Sequence, residues 1–269
     1  MPIHDAYARV TPYELLLPNE DFAEERFPLI RSEAKERGGS LADPDSFLLL
    51  SEAAMALREV REEDDAAEMV QRHGALLFQA FHFWEAGHPL LLLDAQVVRF
   101  LVENGPEEGA WVPALPGAAG YVQLPQHMFW AASGVGEAPE SLDGIFWAAP
   151  AGENLTILVV MGIRKDRPGL AVVPLPTLPL AAATPWASMP VRPEGADFST
   201  DLPGAELEGL YAIEAGGEAV KLAMRIFWYL DVFPGRVGDE SRPSVDPTPA
   251  PEPHGPQPSE LPYRRVILD

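Results

Sequence analysis

The N-terminal part of the chain alternates apolar and charged positions with the period of an α-helix. The apolar residues after Asp43-Pro44 recur at intervals of three and four, which places them on one helix face: Phe47, Leu50, Ala54 and Leu57. Asp43 is a favourable N-cap and Pro44 suits the first turn, so a helix is predicted to begin at this point.

The same pattern predicts further helices in this part of the chain, beginning after Asp64-Asp65, beginning at Asp94, and covering about residues 21–37. Pro28 should kink or split the last of these, because proline removes a backbone donor and crowds the preceding turn. Residues 1–104 are therefore predicted to form a helical region.

Beyond residue 104 the pattern changes, because charged residues become rare and short apolar runs of strand length follow one another. The runs predicted to be strands are residues 121–124, 128–132, 145–149, 155–163 and 170–175. No helix-length run separates them, which favours an antiparallel meander. The low charge indicates that both faces of this sheet are covered, by the helices or by a partner.

One further helix is predicted over residues 218–232, with Leu222, Ile226 and Leu230 on its apolar side. Residues 234–262 contain nine prolines and are expected to form a solvated, irregular tail. Residues 263–269 are partly apolar again and could dock as an edge strand.

These elements predict an α+β fold: an N-terminal helical layer on a central antiparallel β-meander, one C-terminal helix and a Pro-rich tail. We expect residues 1–104 and 105–233 to form one domain, because the helical layer and the sheet each leave an apolar face to cover.

The composition bears mainly on the kind of partner, because the chain is strongly acidic. The chain has 41 acidic and 19 basic residues, a formal net charge of −22, and no cysteine. Such a charge repels phosphate backbones and anionic lipids, so we expect the partner to be another protein or a second copy of this chain, not nucleic acid or a membrane. Adaptation to salt is a competing explanation of the acidity. The lack of cysteine excludes disulfides, thiolate metal sites and cysteine nucleophiles.

The location expected for this protein is the cytoplasm. Residues 1–10 hold Asp5 and Arg9 and lack the apolar stretch of a secretory signal. The uncharged stretches 109–136 and 168–191 are long enough to span a bilayer, but each contains several prolines that would leave backbone groups unpaired in lipid.

One candidate metal site combines His82, Glu85 and His88. Glu85 and His88 form a Glu-x-x-His pair, which on a bundle helix can offer a carboxylate and an imidazole to a metal ion. His82 lies one turn earlier and could add a ligand. A di-iron bundle needs this motif twice, and no second copy is present, so ordinary helix-end residues are the competing interpretation. We expect no cofactor.

A candidate ligand site combines Gln126 and His127 with the aromatic residues Trp130 and Trp147. Aromatic side chains with a few polar groups among them are typical of small-molecule pockets. The alternative is that the polar residues of this stretch simply face solvent from an antiparallel strand.

The basic residues Arg164, Lys165 and Arg167 form a dense group in the otherwise charge-poor central region. They could hold an anion or an acidic partner. A charged hairpin tip that discourages edge-to-edge pairing is the alternative.

No complete catalytic motif is present: the serines lack a nucleophile elbow, and no phosphate-binding glycine loop occurs. The sequence therefore favours a non-catalytic acidic binding or interaction protein, with self-association as one option. The alternative is an enzyme with a non-standard site of histidine and carboxylate, such as a metal-dependent hydrolase. A third hypothesis is an acidic mimic of nucleic acid that occupies a basic groove.

Overall fold

The computed structural model describes residues 8–61, 67–125, 128–131, 140–162, 172–191, 208–240 and 258–268. The helices of these residues are α1 (Pro12–Leu16), α2 (Phe22–Arg37), α3 (Pro44–Leu48), α4 (Ser51–Val60), α5 (Ala67–Glu85), α6 (Ala95–Glu103), α7 (Leu180–Ala183) and α8 (Glu208–Val232). The strands are β1 (Leu90–Leu93), β2 (Ala119–Gln123), β3 (Trp130–Ala131), β4 (Glu140–Ala148), β5 (Asn154–Met161), β6 (Val172–Pro174), β7 (Leu178–Pro179), β8 (Val237–Glu240) and β9 (Tyr263–Val266).

The predicted α+β class is confirmed, and the strands form one sheet in the order β6-β5-β4-β2-β1-β9-β8. Strand β3 pairs with β4 and β7 pairs with β5 off this path. The sheet is mixed: β2, β4, β5 and β6 form the predicted antiparallel part, whereas β1 runs parallel to both β2 and β9.

The C-terminal strand docks inside the sheet and not at its edge, so the prediction of an edge strand at residues 263–269 is wrong in position. Strand β9 lies between β1 and β8, because β8 pairs with the side of β9 that faces away from β1.

Regular structure also reaches into the predicted irregular tail of residues 234–262. Residues 237–240 contain no proline, so their backbone N–H groups can donate hydrogen bonds to β9. Residues 241–257 lie outside the described part of the chain.

Helices cover both faces of the sheet, which explains its low charge. Along β4, Ile145 and Trp147 point to the side of α6 and α8, while Phe146 and Ala148 point to the side of α1–α5. Strands β1, β2 and β5 alternate in the same way, so successive residues enter two different apolar cores. The faces of these four strands are therefore covered and do not form a binding surface, whereas Arg264 on β9 is exposed.

The N-terminal helical layer differs from the prediction in its helix boundaries. Helix α2 continues through Pro28 as one element. The helix predicted after Asp43-Pro44 is divided into α3 and α4. The carboxylate of Glu33 accepts hydrogen bonds from the backbone N–H groups of Ser51 and Glu52, at 3.0 and 2.8 Å. These bonds satisfy donors at the start of α4, whose own N-cap provides no side-chain acceptor.

Among the residues described, none of the helices combines the length and apolar character needed to cross a membrane.

Candidate functional site

The predicted metal ligand His82 is a buried core histidine. Its side chain is 3% exposed, and its Nε2 lies 2.7 Å from the carbonyl oxygen of Leu41, so Nε2 carries the proton and donates. Nδ1 is 3.7 Å from Glu85 Oε2, which is beyond hydrogen-bond distance. Burial lowers the pKa of His82 to about 4, so the ring is neutral near pH 7.

The second predicted histidine lies beyond the end of the helix. Gly87 and His88 both adopt left-handed backbone conformations, with φ of 79° and 59°, and they turn the chain away from α5. His88 Nε2 and the hydroxyl of Tyr13 are 3.0 Å apart, and burial lowers the pKa of His88.

His82, Glu85 and His88 therefore do not converge on one point, and no group of three possible metal ligands occurs among the described residues. Helix α5 ends at Glu85, so Glu85 and His88 do not share a helix face, and a metal site at these residues stays a prediction without support from the described geometry.

Of the predicted ligand-site residues, Trp147 is a core residue. It is 1% exposed, and its ring lies edge-on to Phe227 at 5.4 Å between ring centres. A Cβ at Gly120 would come within 2.1 Å of the indole, so glycine is required beside it. Gln126 and His127 lie outside the described residues, and only the backbone of Trp130 is described. A ligand site at those residues stays a prediction, as does the role of Arg164, Lys165 and Arg167, which are also outside.

A buried polar cluster next to this segment joins three distant parts of the chain. The backbone N–H of Arg9 donates to Gln123 Oε1 at 2.7 Å. The Nη2 group of Arg9 donates to the carbonyl of Leu124 at 2.8 Å and lies 3.5 Å from Asp143 Oδ1. The side chains of Arg9, Gln123 and Asp143 are buried, which ties the N-terminal segment to β2 and β4. Because the cluster is closed to solvent, its evident role is structural.

An exposed apolar surface next to an aromatic cluster includes a hydrogen bond between Trp111 and Asp231. The indole Nε1 of Trp111 donates to Asp231 Oδ2 at 2.9 Å, which joins the loop after α6 to the end of α8. The next residue in each segment is an exposed valine: Val112 is 83% exposed and Val232 is 48% exposed. The hydrogen bond therefore joins the two segments that carry these exposed valines.

Aromatic side chains extend this surface along both helices. Phe100 of α6 stacks on Trp228 of α8, with ring centres 6.4 Å apart and planes 9° from parallel. Phe233 meets Trp228 edge-on at 6.1 Å. All three rings are only partly buried against the core beneath. We call this surface, formed by Phe100, Val112, Trp228, Val232 and Phe233, the aromatic face.

The segments that form the aromatic face also carry carboxylates. Helix α6 and the loop after it carry Glu103, Glu107 and Glu108, all exposed, and Asp231 lies among the apolar residues of α8. Arg99 is the basic residue of the same segment 95–112. Segment 228–236 adds the basic residue Arg236, so the two segments together carry four acidic and two basic residues.

Sequence patterns alone did not identify this surface. Phe100, Trp228 and Val232 fall on predicted helices, but Trp111 and Asp231 are 120 positions apart. A useful signal was available in Trp111-Val112, since two large apolar residues in a proline-rich loop must either pack or remain exposed.

Comparisons with known proteins give no family for this chain. No protein-family model matches the sequence, and no curated protein matches it significantly. Among solved structures, a crystal structure of AcrVA2 aligns with a TM-score of 0.48 and 11% sequence identity. The alignment covers 92% of this chain and 79% of that one.

Proposed function

We propose that this protein is a non-catalytic, acidic interaction protein that binds a positively charged protein partner through the aromatic face. The observation that carries the proposal is the Trp111–Asp231 hydrogen bond, which joins the two segments that carry the exposed residues Val112 and Val232. Partly exposed aromatic residues with fixed positions are the kind of group that dominates binding energy at protein interfaces.

Charge complementarity supports a basic partner. The whole chain carries a net charge of −22, and the segments that form the aromatic face carry Glu103, Glu107, Glu108 and Asp231. Such negative charge attracts a positively charged surface during encounter and disfavours acidic competitors. Two copies of this chain would bring the same carboxylates together, so self-association is the less favoured use of this surface.

The enzyme alternative has less support from the described residues. His82 is buried against a carbonyl, and His88 shares its hydrogen bond with Tyr13. The remaining candidate, His127, lies outside the described residues. A cytoplasmic location remains part of the proposal.

Co-purification with a matched pair of variants tests this function. Val112→Arg places a bulky cation on the aromatic face, whereas Leu49→Arg makes the same charge change at a residue that is equally exposed, at 83%, between α3 and α4. Wild-type and variant proteins would be expressed with a tag in the source cells, and the co-purified proteins would be identified and quantified by mass spectrometry.

We expect a basic protein to be recovered with the wild type and with Leu49→Arg, and to fall at least about tenfold with Val112→Arg. Raising the salt from about 0.1 M to about 1 M should release it, because salt screens the charges at the rim of an interface. Equal recovery with both variants would contradict the proposal. Recovery of an untagged copy of this chain alone would assign the aromatic face to self-association instead.

A further inference from the structure

We infer that Asp231 selects the partner by binding an arginine side chain that the partner presents between apolar residues. This inference rests on the proposed function and names the chemistry that the aromatic face would recognise. Its starting point is that Asp231 is an exposed carboxylate held in a fixed orientation within an apolar surface.

The orientation of Asp231 is set by Trp111. The indole is 8% exposed and packs in the core on the α6 and α8 side of the sheet, so it is a rigid donor. Its Nε1 engages Oδ2 of the carboxylate at 2.9 Å. No other hydrogen bond or ion pair of Asp231 occurs within the described residues. Oδ1 therefore remains available to accept from a partner, and little side-chain entropy is lost on binding because the carboxylate is already positioned.

The surroundings of Asp231 strengthen its attraction for a cation. Trp228 lies three residues earlier and therefore shares the face of α8 that carries the carboxylate, and Phe100 stacks on Trp228. A partner that covers these apolar groups excludes water from the charge pair, and the lower local dielectric makes the pair stronger than one on an open surface.

Arginine fits this arrangement better than lysine. The guanidinium group is planar and less strongly hydrated than an ammonium, and it can stack on an aromatic ring while it donates to a carboxylate. Phe100, Trp228 and Phe233 provide partly exposed rings in the same region. An apolar residue beside the arginine would contact Val112, which adjoins Trp111 in the chain and is 83% exposed.

Titration of the labelled protein with two short peptides tests the inference directly. The probes are N-acetyl-Leu-Arg-Leu-amide and the same peptide with citrulline, which keeps the shape of arginine but lacks its charge. The readout is the ¹⁵N–¹H resonance of the Trp111 indole, assigned with a Trp111→Phe variant. This resonance reports on Asp231 because the indole donates to its carboxylate.

We expect the arginine peptide to shift the Trp111 resonance saturably and the citrulline peptide to bind at least about tenfold more weakly. Asp231→Asn keeps an oxygen that can accept from Trp111 but removes the charge, so it should weaken arginine-peptide binding at least about tenfold. Asp45→Asn, an equal charge change at an exposed residue of α3, should leave binding unchanged.

The absence of a saturable shift with the arginine peptide would overturn the inference. Equal shifts with both peptides would also overturn it, and this comparison needs no variant, so it decides even if Asp231→Asn does not fold. Failure here is separable from failure of the proposed function: a partner lost with Val112→Arg but retained with Asp231→Asn would leave the interaction role intact and remove the role of Asp231.

Discussion

Glu14 and Ser259 lie 245 positions apart, and the Ser259 hydroxyl donates to both carboxylate oxygens of Glu14 at 3.0 Å. The same carboxylate accepts from the backbone and hydroxyl of Thr11, at 2.7 and 2.8 Å, and from the backbone N–H of Glu260 at 2.9 Å. A single side chain thus caps α1 and fastens the segment that leads into β9.

Glu14→Gln should destabilise the fold, because the amide has one acceptor oxygen where the carboxylate has two, and its NH₂ group would face donors. Loss of charge-assisted hydrogen bonds of this kind costs about 1–3 kcal/mol. Urea denaturation measures the loss as a lower midpoint with an unchanged slope. Glu25→Gln on the exposed side of α2 should change stability by less than about 0.5 kcal/mol, and equal effects at both positions would refute this role of Glu14.

Arg225→Met should be more destabilising than the loss of a surface arginine. The guanidinium of Arg225 donates to main-chain carbonyls of Leu101, Val102, Ala187 and Met189, at 2.6 to 3.0 Å. Methionine would fill much of the volume but leave these buried acceptors unpaired. We expect a cost of about 2–5 kcal/mol in the free energy of unfolding. Arg58→Met on α4 is the control, because Arg58 is exposed.

Gly120→Ala should disrupt the packing of Trp147. A Cβ at residue 120 would lie 2.1 Å from the indole, whereas a Cβ at Gly117 would meet only a backbone oxygen at 3.7 Å. Overpacking against a buried ring costs about 1–3 kcal/mol or more. Thermal unfolding should therefore show a clear fall in Tm for Gly120→Ala and little change for Gly117→Ala. A wild-type Tm in the first variant would show that Trp147 can move.

The sequence predicted helices and antiparallel strands where one pattern extends over many residues. Helix α5 and strands β4 and β5 are examples, because their apolar positions repeat with a clear period or run. Strand β1 was missed because Leu90–Leu93 is a run of four leucines with no period and follows a proline. The interior position of β9 was missed because pairing with β1 depends on contacts far apart in sequence.

The aromatic face was not predicted for the same reason, because it depends on contacts between residues far apart in sequence. Val112 is apolar, and a residue of that kind is usually assigned to a core when only its chemistry is known. Its exposure depends on Trp111, which packs inward and binds Asp231 on a different helix. For the histidines, the sequence indicated a site that the structure does not bring together. The spacing of His82, Glu85 and His88 indicated a metal site, but α5 ends at Glu85 and His82 contacts the carbonyl of Leu41.

Stability should fall with decreasing pH in a way that depends on His82. Its pKa is lowered from 6.5 to about 4 in the folded protein, because burial disfavours the imidazolium. The unfolded chain therefore binds more protons than the native state between these values. The contribution of His82 to the free energy of unfolding is fully present above pH 6.5. It declines by up to about 3 kcal/mol as the pH falls to about 4.

Urea denaturation of the wild type and His82→Gln at several pH values isolates this contribution, because other titrating groups are common to both proteins. Glutamine can still donate to the Leu41 carbonyl but does not titrate. The stability difference between the two proteins should shrink, or reverse, as the pH falls from 6.5 to 4. A constant difference would show that His82 is not the neutral buried group described.

Binding of a basic partner to the aromatic face can be detected by photo-crosslinking in living cells. A benzophenone amino acid would replace Val112 in one protein and Leu49 in another, since both residues are 83% exposed. A discrete cross-linked product with a basic protein is expected from position 112 and none from position 49. Equal products from both positions, no product from position 112, or a product with a second copy of this chain would contradict it.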